Sequence, residues 1–330
     1  MSQRVLVLGG TGLLGHSTIR ELVARGYTVT SVALPPMPTE DLFEEFGDAV
    51  DSRLADVTEM SDEEVLELLE GCYAVMYAIG ADERVTPPAP ASRFFYEANV
   101  LPTQRLAAVA RKAGVKKFVV YGSYFAEFAE TMPELGLKKY GYPLTRLLQE
   151  QVAFAEGDGA MNVTSLRLPY IFGTMPGRMP LWKMFVDMIR GVEVFPAHPG
   201  GRTAAVTTRQ VGQAAVGAME NGEHRGTYPI SGYSLSHEDF YRTIITALGQ
   251  DTQVPLIPFE AIEEQVAQAD AHAASQGLEH GIPMVEASRL RAVDLSIDPA
   301  LTQGVLGYED DDVPAAIDET IQVVLRDEGK

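Results

Sequence analysis

The first fifteen residues join an apolar strand to a glycine-rich loop and a helix without a break. Residues 4–8 read Arg-Val-Leu-Val-Leu, residues 9–15 read Gly-Gly-Thr-Gly-Leu-Leu-Gly, and a helical pattern then continues to Arg25. Glycines at Gly9, Gly12 and Gly15 allow a tight turn, close approach of a phosphate to the backbone, and close packing of helix on strand. The loop predicts a dinucleotide site at the start of the helix. A glycine turn that binds nothing is the alternative.

Strand and helix patterns alternate through the first half of the chain. The predicted strands cover residues 28–33, 74–79, 117–121 and 163–168, and the predicted helices cover 65–70, 93–113 and 142–156. Such alternation predicts a parallel sheet with helices on both faces and ligands at the carboxyl ends of the strands. Proline becomes frequent over residues 169–199, where the alternation ends and a substrate-facing region is expected to begin.

Composition limits the class of protein. The 330 residues are 46% hydrophobic and 22% charged, which is typical of a globular protein with one large α/β domain and a smaller one. A net charge of −20 argues against nucleic acid or an anionic membrane as a partner. The apolar start is a strand rather than a signal peptide, no apolar run approaches the ~20 residues that span a bilayer, and Cys72 is the single cysteine. We therefore expect a cytoplasmic protein without disulfides. Scattered histidines predict no metal site.

Landmarks along nearly all of the chain resemble the extended short-chain dehydrogenases/reductases of the NAD(P)-dependent epimerase/dehydratase type. Beyond the glycine loop, they are Asp56-Val57, Ala78-Ile79-Gly80, Asn99, the strand ending at Ser123, and residues 166–173. The resemblance implies cofactor contacts at Gly9, Thr11, Gly12, Leu13, Leu14, Gly15, Asp56, Val57, Ala78, Ile79, Gly80, Asn99, Tyr142, Arg146, Pro169, Tyr170 and Ile171.

The same resemblance implies a Rossmann-type, doubly wound parallel sheet with a smaller C-terminal substrate lobe. Residues 1–173, rejoined by 203–231, are expected to form the nucleotide-binding domain. Residues 174–202 and 232–330 are expected to form the smaller lobe. A homodimer through the helices at 93–113 and 142–156 is also implied.

The catalytic residues implied by the resemblance are Ser123, Tyr142, Arg146 and Asn99. A tyrosine would act as acid and base toward a substrate hydroxyl or carbonyl, and a cation one helical turn later would favour its phenolate. Arginine stands at position 146, where the family has lysine, and its larger planar group is not equivalent to an ammonium. Two interpretations follow. The favoured one is a working variant site, and the other is a catalytically silent NAD(P)-binding sensor that regulates a partner protein.

The sequence defines the cofactor and the substrate less fully than it defines the candidate catalytic residues. The second strand ends at Ala33 and Leu34, which are neither the acid typical of NAD sites nor the arginine typical of NADP sites, so the choice between NAD and NADP is open. Arg178 and Arg202 are candidates to bind an anionic group of a substrate. His16 is expected to face solvent, and the acidic stretch 260–286 to cap the cleft. The expected reaction is hydride transfer at a carbinol or carbonyl carbon of a small molecule or sugar nucleotide, with epimerisation and dehydration as variants.

Overall fold

The computed structural model of the protein describes residues 3–328. In chain order, the strands are β1 (Arg4–Leu8), β2 (Thr28–Ala33), β3 (Val50–Leu54), β4 (Cys72–Tyr77), β5 (Lys117–Ser123), β6 (Asn162–Leu168), β7 (Tyr170–Phe172), β8 (Arg202–Thr207), β9 (Thr227–Pro229), β10 (Tyr233–Ser236) and β11 (Asp294–Leu295). The α-helices are α1 (Leu13–Ala24), α2 (Asp62–Leu69), α3 (Ala91–Phe95), α4 (Leu101–Lys112), α5 (Tyr124–Thr131), α6 (Gly141–Gly157), α7 (Lys183–Ile189), α8 (Thr208–Asn221), α9 (His237–Leu248), α10 (Glu263–Ser275), α11 (Met284–Leu290), α12 (Gln303–Leu306) and α13 (Val313–Glu328).

The larger sheet has seven strands in the order β3-β2-β1-β4-β5-β6-β9, and all its pairs are parallel. Alternate side chains of β1 point to opposite faces: Val5 and Val7 pack toward α1 and α8, whereas Leu6 and Leu8 pack toward α2, α4 and α6. Helices thus bury both faces, as the continuous apolar strands require. The predicted Rossmann-type α/β fold is confirmed.

A smaller sheet contains β7, β8, β10 and β11, with β8 paired to each of the others. Helices α7, α9 and α13 cover it with a core that includes Phe172, Trp182 and Phe240. The predicted domain boundaries differ from this arrangement in two places. The sequence assigned β7, β8 and β9 to the nucleotide-binding domain. β9 lies in the larger sheet, but β7 and β8 pair with each other in the smaller sheet. The division into two lobes stays a prediction.

The helix predicted over residues 93–113 is built from α3, a π-helical turn at Tyr96–Val100, and α4. The wide turn precedes Pro102, which has no amide hydrogen to donate to the carbonyl of Ala98. It carries Asn99, which is fully buried. A second difference concerns His16, which is buried against Phe43 and Phe46 rather than facing solvent.

Candidate active site

A cavity of about 520 Å³ opens at the carboxyl ends of the central strands of the larger sheet. Its wall on the sheet side comes from the segments that follow β1, β4, β5 and β6, and the opposite wall comes from residues 280–295. Of the cofactor and catalytic residues predicted from the sequence, it brings together Leu13, Leu14, Ala78, Ile79, Gly80, Ser123, Tyr142, Arg146, Pro169, Tyr170 and Ile171.

The glycine loop beside this cavity is a cradle of bare backbone. Gly9 has φ +86°, and a Cβ there would lie 2.5 Å from the Ala78 carbonyl oxygen. A Cβ on Gly15 would lie 2.2 Å from the Gly9 oxygen, so α1 packs directly on the loop. The nearest atom to a Cβ on Gly12 is that same oxygen at 3.2 Å. Free N–H groups at the start of α1 and a loop without side chains fit the phosphates of a dinucleotide.

Tyr142 lies in the first turn of α6 with 4% of its surface exposed. Its ring packs edge-on against Phe95 and Phe125. The pKa of Tyr142 is raised above its usual value, mainly by burial and also by the charge of Glu83. The charge of Arg146 and the nearby hydroxyl of Ser123 act in the opposite direction. Ser123 ends β5 and caps α5, where its Oγ accepts from the Phe125 N–H at 3.3 Å. The phenol and the serine hydroxyl therefore meet at one point of the cavity wall.

Arg146 lies one turn after Tyr142, and its guanidinium carbon is 5.8 Å from the centre of the tyrosine ring. Its Nη2 donates to the Tyr121 carbonyl, and this hydrogen bond holds the guanidinium against β5. Its Nε is buried without a hydrogen-bond partner among the residues that the structure describes. An unsatisfied buried donor costs about 1–3 kcal/mol, so this N–H suits a ligand oxygen.

Asn99 holds the segment after β4 in place. Its Oδ1 accepts from the Ala81 N–H at 2.8 Å, and its Nδ2 donates to the Ala81 carbonyl at 3.0 Å. Gly80 has φ +142°, and a Cβ there would lie 2.6 Å from Asn99 Oδ1. Asn99 is not part of the cavity wall. In the structure it shapes the wall, and its predicted role in catalysis and cofactor contact stays a prediction.

The two arginines predicted for substrate occupy different places, neither of them in the cavity wall. Arg178 lies on a loop against the glycine loop, where its Nε donates to the Thr11 carbonyl at 3.3 Å. Arg202 lies in β8, and its guanidinium donates to the side chain and carbonyl of Ser234 at 2.8 and 2.6 Å. Arg178 thus lies beside the glycine loop, whereas Arg202 connects β8 to β10.

The predicted adenine pair follows β3. The Asp56 carboxylate accepts from the N–H and hydroxyl of Thr58 at 2.9 and 2.6 Å, and Val57 packs into the core beneath the sheet. Leu34 and Leu54, at the ends of β2 and β3, are exposed to 59% and 43%. Each leucine is therefore an exposed apolar side chain at the carboxyl end of its strand.

Several wall residues were not singled out from the sequence. Asp82, Glu83 and Arg84 come shortly after the small-residue turn that follows β4. Their position in the sequence could therefore have predicted that they line the cavity. The protein atoms around Glu83 and the charge of Asp82 raise the pKa of Glu83, a residue that is nevertheless exposed to solvent. His237 and Arg291 come from distant elements, and no local pattern marks them.

The glycine cradle, the sheet order and the buried tyrosine–arginine pair together define a Rossmann-fold dinucleotide-binding protein. The chain belongs to the NAD-dependent epimerase/dehydratase family, whose model matches residues 5–193. Its cofactor is accordingly NAD or NADP, and the family supports an enzyme of oxidoreductase type.

Over residues 3–328, the structure holds no helix long and apolar enough to cross a membrane. In the same part of the chain, no group of three or more His, Cys, Asp or Glu could hold a metal ion.

Individual relatives cover the chain to different extents. A 4-hydroxy-2-methyl-3-oxo-4-farnesyl-3,4-dihydroquinoline-1-oxide ketoreductase from Stigmatella aurantiaca is 25% identical over 300 residues, which are 87% of this chain and 84% of that protein. A sterol-4-alpha-carboxylate 3-dehydrogenase (decarboxylating) from Homo sapiens is 26% identical over 184 residues, 52% of this chain and 45% of that protein. The dTDP-glucose 4,6-dehydratase of Streptomyces venezuelae, solved with NAD, has the same fold: TM-score 0.69, 15% identity, coverage 99% and 98%.

Proposed function

We propose that the protein is an NAD(P)-dependent oxidoreductase that transfers a hydride at a carbinol or carbonyl carbon of a small molecule. The observation that carries this proposal is the buried phenol of Tyr142, which lines the cavity together with Ser123 and Arg146 beside the glycine cradle. A purely structural tyrosine would not need a cation one turn away. The alternative, a silent nucleotide sensor, rests on arginine in place of the family's lysine, and a substitution of Tyr142 separates the two.

The protein's own residues would handle the proton of the reaction. In the oxidation direction the substrate O–H proton goes to the Tyr142 oxygen and the C–H hydrogen leaves as hydride, so that a carbinol becomes a carbonyl. The nicotinamide, when bound, supplies the hydride acceptor or donor. Ser123 would hydrogen-bond the substrate oxygen and orient it toward the phenol. Arg146 favours the phenolate by charge, which opposes the effect of burial.

The residues that would hold the cofactor follow from the cradle. The loop from Gly9 to Gly15 would take the pyrophosphate at the start of α1, and Arg178 stands beside that loop. The exposed side chain of Leu34 or of Leu54 would receive the adenine next to Asp56. The free Nε–H of Arg146 would donate to a ribose hydroxyl.

A calorimetric titration with NAD⁺, NADH, NADP⁺ and NADPH tests the cofactor part of the proposal. At least one nucleotide should bind, and a preference would decide what Ala33 and Leu34 leave open. We expect Arg178→Ala to weaken that nucleotide about tenfold, or about 1.4 kcal/mol, and Arg202→Ala to leave its affinity unchanged. Binding by none of the four, in folded protein, would overturn the dehydrogenase and the sensor proposals together.

Replacing Arg146 should shift the pH dependence of oxidation. The charge of Arg146 lowers the pKa of Tyr142, so Arg146→Met should raise that pKa and move the midpoint of kcat against pH upward by about one unit or more. At neutral pH the rate should fall about tenfold for each unit, because less phenolate is present. Arg146→Lys keeps the charge and is the matched control, with a midpoint near that of the wild type. A midpoint that does not move in Arg146→Met would separate Arg146 from the acid–base step.

The homodimer implied by the resemblance is also proposed here. Tyr96 at the start of the π-helical turn and Leu101 at the start of α4 are exposed to 41% and 44%. Apolar side chains at this density on one segment suit a partner helix. Sedimentation of the wild type should give twice the monomer mass, and Tyr96→Glu combined with Leu101→Glu should give the monomer mass.

A cytoplasmic location likewise stays a prediction, which imaging of the tagged protein tests.

A further inference from the structure

The cavity has an apolar region away from the glycine cradle. Its wall there is formed by Leu181, Trp182, Phe185, Ile282 and Leu290. The indole of Trp182 stacks on Phe172 with 4.5 Å between ring centres, and its Nε1 donates to the Ile171 carbonyl at 2.7 Å. Because that polar atom is already satisfied, the tryptophan offers a bound molecule only its ring. This part of the cavity suits a hydrophobic body.

One cation interrupts this apolar wall. The guanidinium carbon of Arg291 lies 5.5 Å from the centre of the Phe185 ring. Among residues 3–326, whose side chains the structure describes, no carboxylate is paired with it, whereas Arg84, also in the cavity wall, is paired with Asp82. An unneutralised guanidinium is a strong receptor for an oxyanion, especially in a chain with a net charge of −20.

A buried histidine stands beside Arg291. His237 begins α9, is 3% exposed, and its Nδ1 has no hydrogen-bond partner in the part of the chain that the structure describes. Burial, together with the charges of Arg291 and His198, lowers the pKa of His237 to about 3, so the imidazole is neutral at pH 7. A neutral ring can donate one hydrogen bond to a ligand oxygen without adding charge.

The backbone fixes Arg291 at this place. Gly201 has no Cβ, and one built there would lie 1.8 Å from the Arg291 carbonyl oxygen, so only glycine allows this approach. The Arg202 N–H donates to the Val293 carbonyl at 3.1 Å, and β11 then pairs with β8. The smaller sheet therefore holds the segment that carries the guanidinium against the cavity.

We propose that Arg291 and His237 form an anion subsite that binds the carboxylate of an otherwise apolar substrate, whose reacting oxygen lies at Tyr142. This inference rests on the proposed function and names its substrate class. A diphosphate needs several cations, and Arg84 is already neutralised by Asp82. A single guanidinium that interacts with Tyr241 but has no carboxylate partner instead matches a monoanion, which it can bind through two parallel hydrogen bonds.

Trp182 is the single tryptophan of the chain and lines this cavity, so its fluorescence reports binding without any turnover. The probes are 4-cyclohexylbutanoate, its uncharged amide, 4-cyclohexylbutyl phosphate and UDP-glucose, each titrated with and without saturating nucleotide. The wild type should bind the carboxylate at least tenfold more tightly than the amide. Arg291→Met should remove that difference and keep the affinity for the amide, because the apolar wall is unchanged.

Arg289→Met is the matched control, since Arg289 lies two residues away, is half exposed and is paired with Glu263 and Glu286. It should keep the preference for the carboxylate. Equal affinity for carboxylate and amide in the wild type, or a preference that survives Arg291→Met, would overturn the subsite. Tighter binding of the alkyl phosphate or of UDP-glucose than of the carboxylate would overturn the substrate class. Because the signal needs no catalysis, these outcomes are distinguishable from a failure of nucleotide binding or of turnover.

Discussion

Tyr142→Phe should lower kcat by about 10²–10⁴-fold and leave the affinity for the nucleotide unchanged. The substitution removes only the hydroxyl, and the ring keeps its edge contacts with Phe95 and Phe125. Tyr142 is 4% exposed, so the ring stays packed and the fold should be preserved. The loss should appear in kcat because the proton transfer belongs to the chemical step. The measurement is steady-state kinetics beside calorimetry with the preferred nucleotide.

Tyr140→Phe is the control for this substitution. Tyr140 precedes α6, packs near Tyr124 and Leu137 as well as against the cluster that contains Tyr142, and is not part of the cavity wall. Its loss of a hydroxyl should leave kcat within twofold. If Tyr142→Phe keeps wild-type turnover, the proposed acid–base role is wrong. If the wild type binds nucleotide but turns over no carbonyl or carbinol compound, and Tyr142→Phe behaves identically, the sensor interpretation replaces the enzyme.

The parts of the site that sequence could predict are those set by local geometry. The loop at Gly9 to Gly15 follows a strand and opens a helix, and its shape depends on backbone contacts within a few residues and on the neighbouring strand. Tyr142 and Arg146 share a helix face because they are four residues apart. Each of these relations survives in the folded chain because it depends mainly on contacts within a few residues of the sequence.

The parts that sequence could not predict depend on how distant elements meet. Arg202 follows Gly200-Gly201, and Arg291 follows the last turn of α11 two residues after Arg289. Nothing in the nearby sequence shows which of Arg202 and Arg291 faces the cavity. Pairing of β8 with β10 brings Arg202 to Ser234, whereas the approach of Arg291 to Gly201 places the second arginine at the cavity. Asn99 shows a related limit: its position matched the family, but its amide is occupied by Ala81. Which hydrogen bonds a side chain makes follows from the tertiary fold, not from its place in a motif.

Gly15→Ala should abolish measurable nucleotide binding. A Cβ at this position would lie 2.2 Å from the Gly9 oxygen and 2.7 Å from the Gly10 Cα, and both are backbone atoms. Either the loop or the start of α1 must then move, which displaces the N–H groups that would face the phosphates. We expect affinity for the preferred nucleotide to fall by more than 100-fold, about 2.7 kcal/mol. Overpacking should also lower the free energy of unfolding by about 1–3 kcal/mol. Calorimetry and urea unfolding measure the two effects.

Substitutions at two further glycines distinguish a loss of nucleotide binding from a loss of stability. Gly304 in α12 has no atom within 4 Å of a built Cβ, so Gly304→Ala should leave nucleotide affinity unchanged and should not lower the free energy of unfolding. Gly12 has φ −90°, and its built Cβ meets only the Gly9 oxygen at 3.2 Å, so Gly12→Ala should cost less than about 1 kcal/mol of stability. Its methyl group would nevertheless stand in the bare cradle, and nucleotide affinity should fall at least tenfold. A Gly12→Ala protein that unfolds like the wild type and binds nucleotide equally well would show that the phosphates lie elsewhere.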